Sequence, residues 1–120
     1  MSYVQITANS RGAGTLTVRD ADIDNTAQAC KTSRGRLYGY HVQNPNASDA
    51  WLQFYDAATG SVMVGTTTPK LSLIVPANGA IEALFAVPVE FETAITYAAT
   101  TTATGGTDPT TGLVGNLFYR

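Results

Sequence analysis

"KLSLIVPANGAIEALFAVPVEF", residues 70–91, decides the fold class. Leu71, Leu73 and Val75 fall on one side of an extended chain, with Ser72 and Ile74 on the other. After "PANG" the same alternation returns, Ile81, Ala83 and Phe85 against Glu82 and Leu84. A period of two sends neighbouring side chains to opposite faces of a strand, so one face can build a core. Pro, Asn and Gly between the two runs mark a turn.

The pattern extends outward from this pair. Strands are expected over 2–8, 14–20, 35–43, 50–57, 61–65, 70–75, 80–91 and 94–101, and in the closing "LVGNLFYR". "NSRGAG" (9–14) reads as a hairpin loop, and "TATGGTDPTTG" (102–112) as an exposed loop before the last strand. "DIDNTAQACK" (22–31) permits at most one turn of helix. Eight or nine short strands with turn signals every 8 to 12 residues predict an all-β, single-domain sandwich with jelly-roll-like character. Some strands are apolar on both faces, which implies burial on both sides, within the fold or against another subunit.

Composition agrees. A chain of 120 residues has room for one core. It is 44% hydrophobic and 13% charged, about half the usual charged share. Low charge without low hydrophobicity argues for folding rather than disorder, and for surface that faces protein. Seven basic residues stand against nine acidic ones for a formal charge of −2, and only "KTSRGR" (31–36) approaches a basic patch. Nucleic-acid binding needs a concentrated positive footprint, so that class is rejected. Cys30 is the only cysteine, which excludes an intrachain disulfide. The start lacks the apolar block of a signal peptide, and "ALFAVPV" (83–89) is far short of a membrane span. The expectation is a soluble protein made in the cytoplasm, with no membrane partner.

Chemical motifs fail one by one. Asp20, Asp22 and Asp24 have the spacing that opens a calcium-binding EF-hand loop, but Asn25 and Lys31 stand where its glycine and bidentate glutamate belong. His41 is the single histidine, mid-strand, without a nucleophile elbow in the sequence. Glu90 and Glu92 share a strand face beside Pro88 and read as charges that protect an edge strand. The glycines precede no helix that would cradle phosphate. No catalytic residue, metal or cofactor is expected.

"QNPNASDAWLQFYDAATG" (43–60) is then a turn, an aromatic strand and a second turn. With the Leu52 and Phe54 face in the core, Trp51, Gln53 and Tyr55 form an outward stripe suited to a protein contact, or to stacking on a sugar. Tyr38 and Tyr40, and the aromatic-basic end Phe118, Tyr119 and Arg120, join it as candidate interface residues. If the Trp51 face is the core face, neither use applies.

The order "LYGYHVQNPNASDAWLQFYDAATG", "GTTTPKLSLIVPANGAI", "ITYAATTTATGGTDP" and "NLFYR", spanning residues 35–120, resembles small virion proteins of tailed bacteriophages. That resemblance implies a β-sandwich or jelly-roll subunit, often a homotrimer, that decorates and cements the capsid. Its partners would be the major capsid protein and itself, and its place the capsid surface, after synthesis in the bacterial cytoplasm. Residues 1–34 are then expected to help in intersubunit or shell contacts. The alternatives are a carbohydrate- or receptor-binding module and a small tail or fibre component.

Overall fold

The computed structural model describes residues 14–120. The expected strand at 2–8 and most of the loop at 9–14 lie outside the described residues. Among the described residues there are eight strands: β1 (Leu16–Ile23), β2 (Gln28–Lys31), β3 (Gly35–Gln43), β4 (Ala50–Tyr55), β5 (Leu71–Val75), β6 (Ala80–Phe91), β7 (Ile95–Thr100) and β8 (Leu113–Tyr119). They form two four-stranded sheets, β1-β8-β3-β6 and β2-β7-β4-β5. Every pairing is antiparallel, and the pairs β1·β8, β2·β7, β3·β6 and β4·β5 are nested one inside the next. A long hairpin of four strand pairs, rolled up so that successive pairs fall in alternate sheets, is the eight-stranded jelly roll. The all-β sandwich expected from the period-two stretches is the fold observed.

The inner faces build one core. Ile23, Leu37, Val42, Leu113 and Leu117 of the first sheet meet Leu52, Phe54, Val75, Ile95 and Tyr97 of the second. Phe91, the last residue of β6, closes the cluster with its ring edge-on to Phe54, centroids 6.4 Å apart. Burial pushes the Cys30 thiol up to about 12, so it is a packing group and carries almost no thiolate near neutral pH. Tyr97 reaches out of this core and donates its hydroxyl to Asp20 Oδ2 at 2.7 Å, tying β7 of one sheet to β1 of the other. Desolvation, reinforced by the Asp20 charge, raises the phenol above its ordinary range.

Two local expectations are overturned. Residues 28–31, which allowed a helical turn, form the short strand β2 against β7, because the register with Thr96 and Tyr97 supplies partners that the local sequence does not advertise. Residues 61–65, expected to be a strand, are instead the end of a 3-10 turn (Thr59–Ser61) and a tight bend. The Met63 carbonyl accepts from Thr66 and Thr67 N–H, the Met63 N–H donates to Thr67 Oγ1, and Gly65 takes a φ of 94° that a side chain rarely adopts.

β6 is an edge strand, as the glutamates implied, and its ladder is interrupted. Leu37 pairs with Val89 while Gly39 pairs with Leu84, so Phe85–Pro88 arch away from β3 opposite the single residue Tyr38. Proline has no N–H to give a ladder. Phe85 folds back edge-on against Tyr40 at 5.9 Å, and Val87 is thrown outward, 81% exposed.

The turn after β6 is held by one carboxylate. Asp56, just past β4, accepts from the backbone N–H groups of Glu92 (3.0 Å), Thr93 (2.8 Å) and Ala94 (3.4 Å). Partial burial raises its pKa, but the three donors and Lys70 outweigh that and hold it below the usual carboxylate range. Removing the acceptor with Asp56→Ala should lower stability by about 1 kcal/mol, since the group is largely exposed and screened. Because the folded pKa is depressed, this contribution is present above the unfolded carboxyl value near ~4 and is lost as pH falls through the folded one. Urea melts of both proteins from neutral to acid pH should therefore converge at low pH. A constant gap would assign the loss to something other than the charge.

Candidate interaction surface

A two-sheet sandwich has two outer faces, and this chain treats them differently. On the β2-β7-β4-β5 sheet the outward residues of the two central strands are Gln53 and Tyr55 of β4 and Thr96, Ala98 and Thr100 of β7, all 0% exposed. The segment 56–70 covers them from one side. Thr96 Oγ1 donates to the Ala57 carbonyl at 2.7 Å and lies 3.4 Å from Thr59 Oγ1. The segment 101–112 folds over from the other. Gln53 Nε2 reaches Thr100 Oγ1 (2.8 Å) and the carbonyls of Thr102 (3.2 Å), Ala103 (3.0 Å) and Gly105 (3.3 Å), sharing two hydrogens among four acceptors. Ser72 Oγ donates to the Ala103 carbonyl at 2.5 Å. Tyr55 donates its hydroxyl to Gln53 Oε1, and desolvation raises its pKa. The two segments meet where a Cβ on Gly65 would lie 3.1 Å from Gly106 Cα.

The outward stripe expected on β4 is therefore corrected. Leu52 and Phe54 do face the core, but Gln53 and Tyr55 are sealed beneath the chain's own loops and offer a partner nothing. Trp51, beside Thr100 and Ile74, keeps only part of its ring accessible. The segment 102–112, expected to be simply exposed, is a cover held down by these bonds and by Pro109, which is buried.

The outer face of the β1-β8-β3-β6 sheet carries no such cover among the described residues. The register sets its side chains in rows across the four strands. One row runs Arg19, Asn116, His41, Glu82, and the next runs Thr17, Phe118, Gly39, Leu84. Gly39 leaves a trough between Phe118 and Leu84, and a Cβ there would strike the Ala83 carbonyl oxygen. The trough encloses about 660 Å³, lined by His41, Glu82, Leu84, Asn116 and Phe118 and rimmed by Tyr40 and Ala83. Leu84 is 82% exposed. An imidazole, a carboxylate and an amide beside two apolar groups can hydrogen-bond and exclude water.

The other interface candidates fall in two places. Phe118 lies half-buried on this face. Tyr40 does not, since it packs inward on Phe85, and Tyr119 leans on the core edge. Tyr38 and Arg120 line a separate concavity at the strand ends with Lys31, Arg34, Arg36 and Glu90. Glu90 accepts from Arg36 Nε at 2.9 Å, with Arg34 Nη2 3.8 Å away. Sequence reasoning missed Leu84 and Val87, for which exposure of a large apolar side chain on an edge strand is the signal.

The Asp20-Asp22-Asp24 run serves the backbone. Asp20 Oδ1 accepts from Asp22 N–H and Asp24 Oδ1 from Thr26 N–H, each at 2.9 Å. No cluster of three or more His, Cys, Asp or Glu suited to a metal is present among the described residues. None of the helices among them is long and apolar enough to cross a membrane. "NPN" is a clasp. Asn44, buried, donates to the Ser48 and Val75 carbonyls at 2.9 and 3.0 Å, while Asn46 exchanges 2.7 Å bonds with the backbone of Thr111.

No protein-family model matches the chain, and no curated protein matches its sequence. Among solved structures it is similar to the coat protein of Tobacco streak virus, with 8% identity and a TM-score of 0.42, over 88% of this chain and 83% of that one. The jelly-roll assignment stands on the strand pairing itself.

Tyr55→Phe removes the donor to Gln53 Oε1 and leaves a buried acceptor unpaired, which should cost about 1–3 kcal/mol. Gln53→Leu should cost at least as much, because the loop carbonyls lose their donor. Hydrogen exchange checks the mechanism. Amides of 101–107 should exchange faster in the Gln53 variant, and unchanged protection there would show that the loop is held by other contacts.

Proposed function

We propose that this chain is a structural virion protein of a tailed bacteriophage that decorates and cements the capsid, acting as a homotrimer bound to the major capsid protein. The observation that carries the reading is the outer face of β1-β8-β3-β6, uncovered among the described residues, with Leu84 and Val87 standing into solvent at its edge. Apolar side chains held out on a rigid sheet gain roughly 1.5–3 kcal/mol each when a partner buries them. The sequence resemblance over residues 35–120 supplies the virion context, and the low charge suits a surface that meets protein. Phe118 is the aromatic group on this face, while Tyr38 and Arg120, types favoured at interface centres, line the separate concavity at the strand ends with Lys31 and Arg34.

The physical benefit is cooperative. A trimer repeats one surface three times around an axis and suits a threefold position in a shell. Each protomer that binds raises the effective concentration of the next, so capsomers bridged by the trimer separate only when several contacts break together.

Shells assembled without the protein test this directly. Purified protein should co-sediment with them at saturating stoichiometry and raise their melting temperature, and light scattering should report three protomers. Leu84→Asp with Val87→Asp should weaken shell binding at least tenfold while leaving the thermal melt of the free protein unchanged. Failure of the native protein to bind any shell, together with fluorescence shifts of Trp51 on adding glycans, would move the assignment to a carbohydrate-binding module.

A further inference from the structure

A basic concavity lies at one end of the strands, with Asp56 and Glu92 outside its lining, and among the described residues only acidic groups gather at the other. At the basic end, where Leu16 and Leu37 pair with Tyr119, four cations converge, three from residues 31–36 and Arg120 from beyond β8. Lys31 closes β2, Arg34 lies in the next turn, Arg36 is the second residue of β3, and Arg120 follows β8. Backbone bonds between Arg36 and Arg120, at 2.7 and 2.9 Å, fix the last two side by side. They rim a concavity of about 510 Å³ with Tyr38, and only one carboxylate, Glu90, lines it. At the other end, where Ile23 pairs with Leu113, stand Asp22, Asp24, Asp49 and Asp108 on three separate connections. Asp22, Asp49 and Asp108 are exposed. Among the described residues no Lys or Arg lies at that end, and the ion pairs found there are limited to Glu90 with Arg34 and Arg36 at the opposite one.

The two ends do not neutralise each other within one molecule. β8 spans them in six residue steps, about 20 Å. That is more than twice the screening length of roughly 8 Å at physiological ionic strength. Between molecules the same charges can meet at contact distance. We propose that the basic concavity is a docking site for the aspartate end of a second copy of this chain. The contact is heterologous, joining two different patches, which is the type that closes copies into a ring. Three arginines and a tyrosine around a hollow match the side chains that dominate interface energetics, and planar guanidinium groups take carboxylates in bidentate fashion. The proposal stands on the charge placement alone and not on the virion reading, because a trimer that both sets of charge variants retained would leave that reading intact and remove this one.

Charge reversal at each end tests it. In sedimentation velocity across a concentration series, the native protein should self-associate about tenfold more weakly on going from roughly 0.05 to 0.5 M salt. Arg34→Glu with Arg120→Glu, and separately Asp22→Lys with Asp108→Lys, should each be folded and monomeric, the second with a lower melting temperature because Asp108 Oδ1 accepts from Asn25 N–H at 3.1 Å. Mixed together, the two variants should associate again, since each keeps one native end. Should either set fail to fold, Arg34→Gln with Arg120→Gln and Asp22→Asn with Asp108→Asn carry the same comparison. A native protein that stays monomeric, or association that both variants retain, overturns the proposal. Association lost only in the arginine variant overturns it as well and assigns the concavity to another anionic partner.

Discussion

The amide of Gln53 sits at the point on which the architecture depends. A strand in the middle of a sheet has two faces, and β4 and β7 bury both. The inner face is closed by apolar packing, but the outer one is closed by coil, whose carbonyls have no ladder to satisfy them. An unpaired polar group away from water costs about as much as a hydrogen bond contributes, so coil cannot lie on an apolar strand face. Gln53 resolves the conflict by donating to the carbonyls of 102–105 and accepting from Tyr55, and Thr96, Thr100 and Ser72 complete the seal. Once that sheet is closed by its own chain, any partner must use the other sheet or the ends.

The β class was legible because it is a local property. Alternation in 71–75 and 80–85 reads directly, "PANG" gives the expected turn with Asn78 at a φ of 53°, and the boundaries of β6 match those read from sequence. What failed was non-local. Val62 and Val64 alternate like a strand, yet no neighbour pairs with them and Gly65 bends the chain. "QACK" offers no alternation and becomes a strand because β7 lies beside it. Gln53 and Tyr55 look outward by parity, and they are, but the loop that buries them begins more than forty residues later. Likewise the basic "KTSRGR" run became a concavity only when the fold brought Arg120 alongside Arg36.

The remaining surface divides its properties by direction. The outer face of β1-β8-β3-β6 is apolar at the Phe118-Gly39-Leu84 row and polar at the Arg19-Asn116-His41-Glu82 row, while a basic concavity and a group of aspartates lie at opposite strand ends. Apolar burial supplies affinity with little directional preference, whereas charge placed at two defined ends fixes orientation and speeds encounter. Kept on separate surfaces, the two kinds of contact do not compete for the same residues.

The edge strand β6 shows the same separation at the level of backbone and side chain. An open edge with free N–H and C=O groups invites any extended chain to pair with it. Here Pro88 removes a donor, Phe85–Pro88 arch off the line of the strand, and Glu90 holds charge beside the break through Arg36. The same arch that spoils the edge for strand addition is what pushes Val87 into solvent, close to Leu84 on the adjoining face. β6 is thus closed to partners that would extend the sheet and open to partners that bury side chains, so a surface prone to indiscriminate pairing is restricted to shape-matched contact.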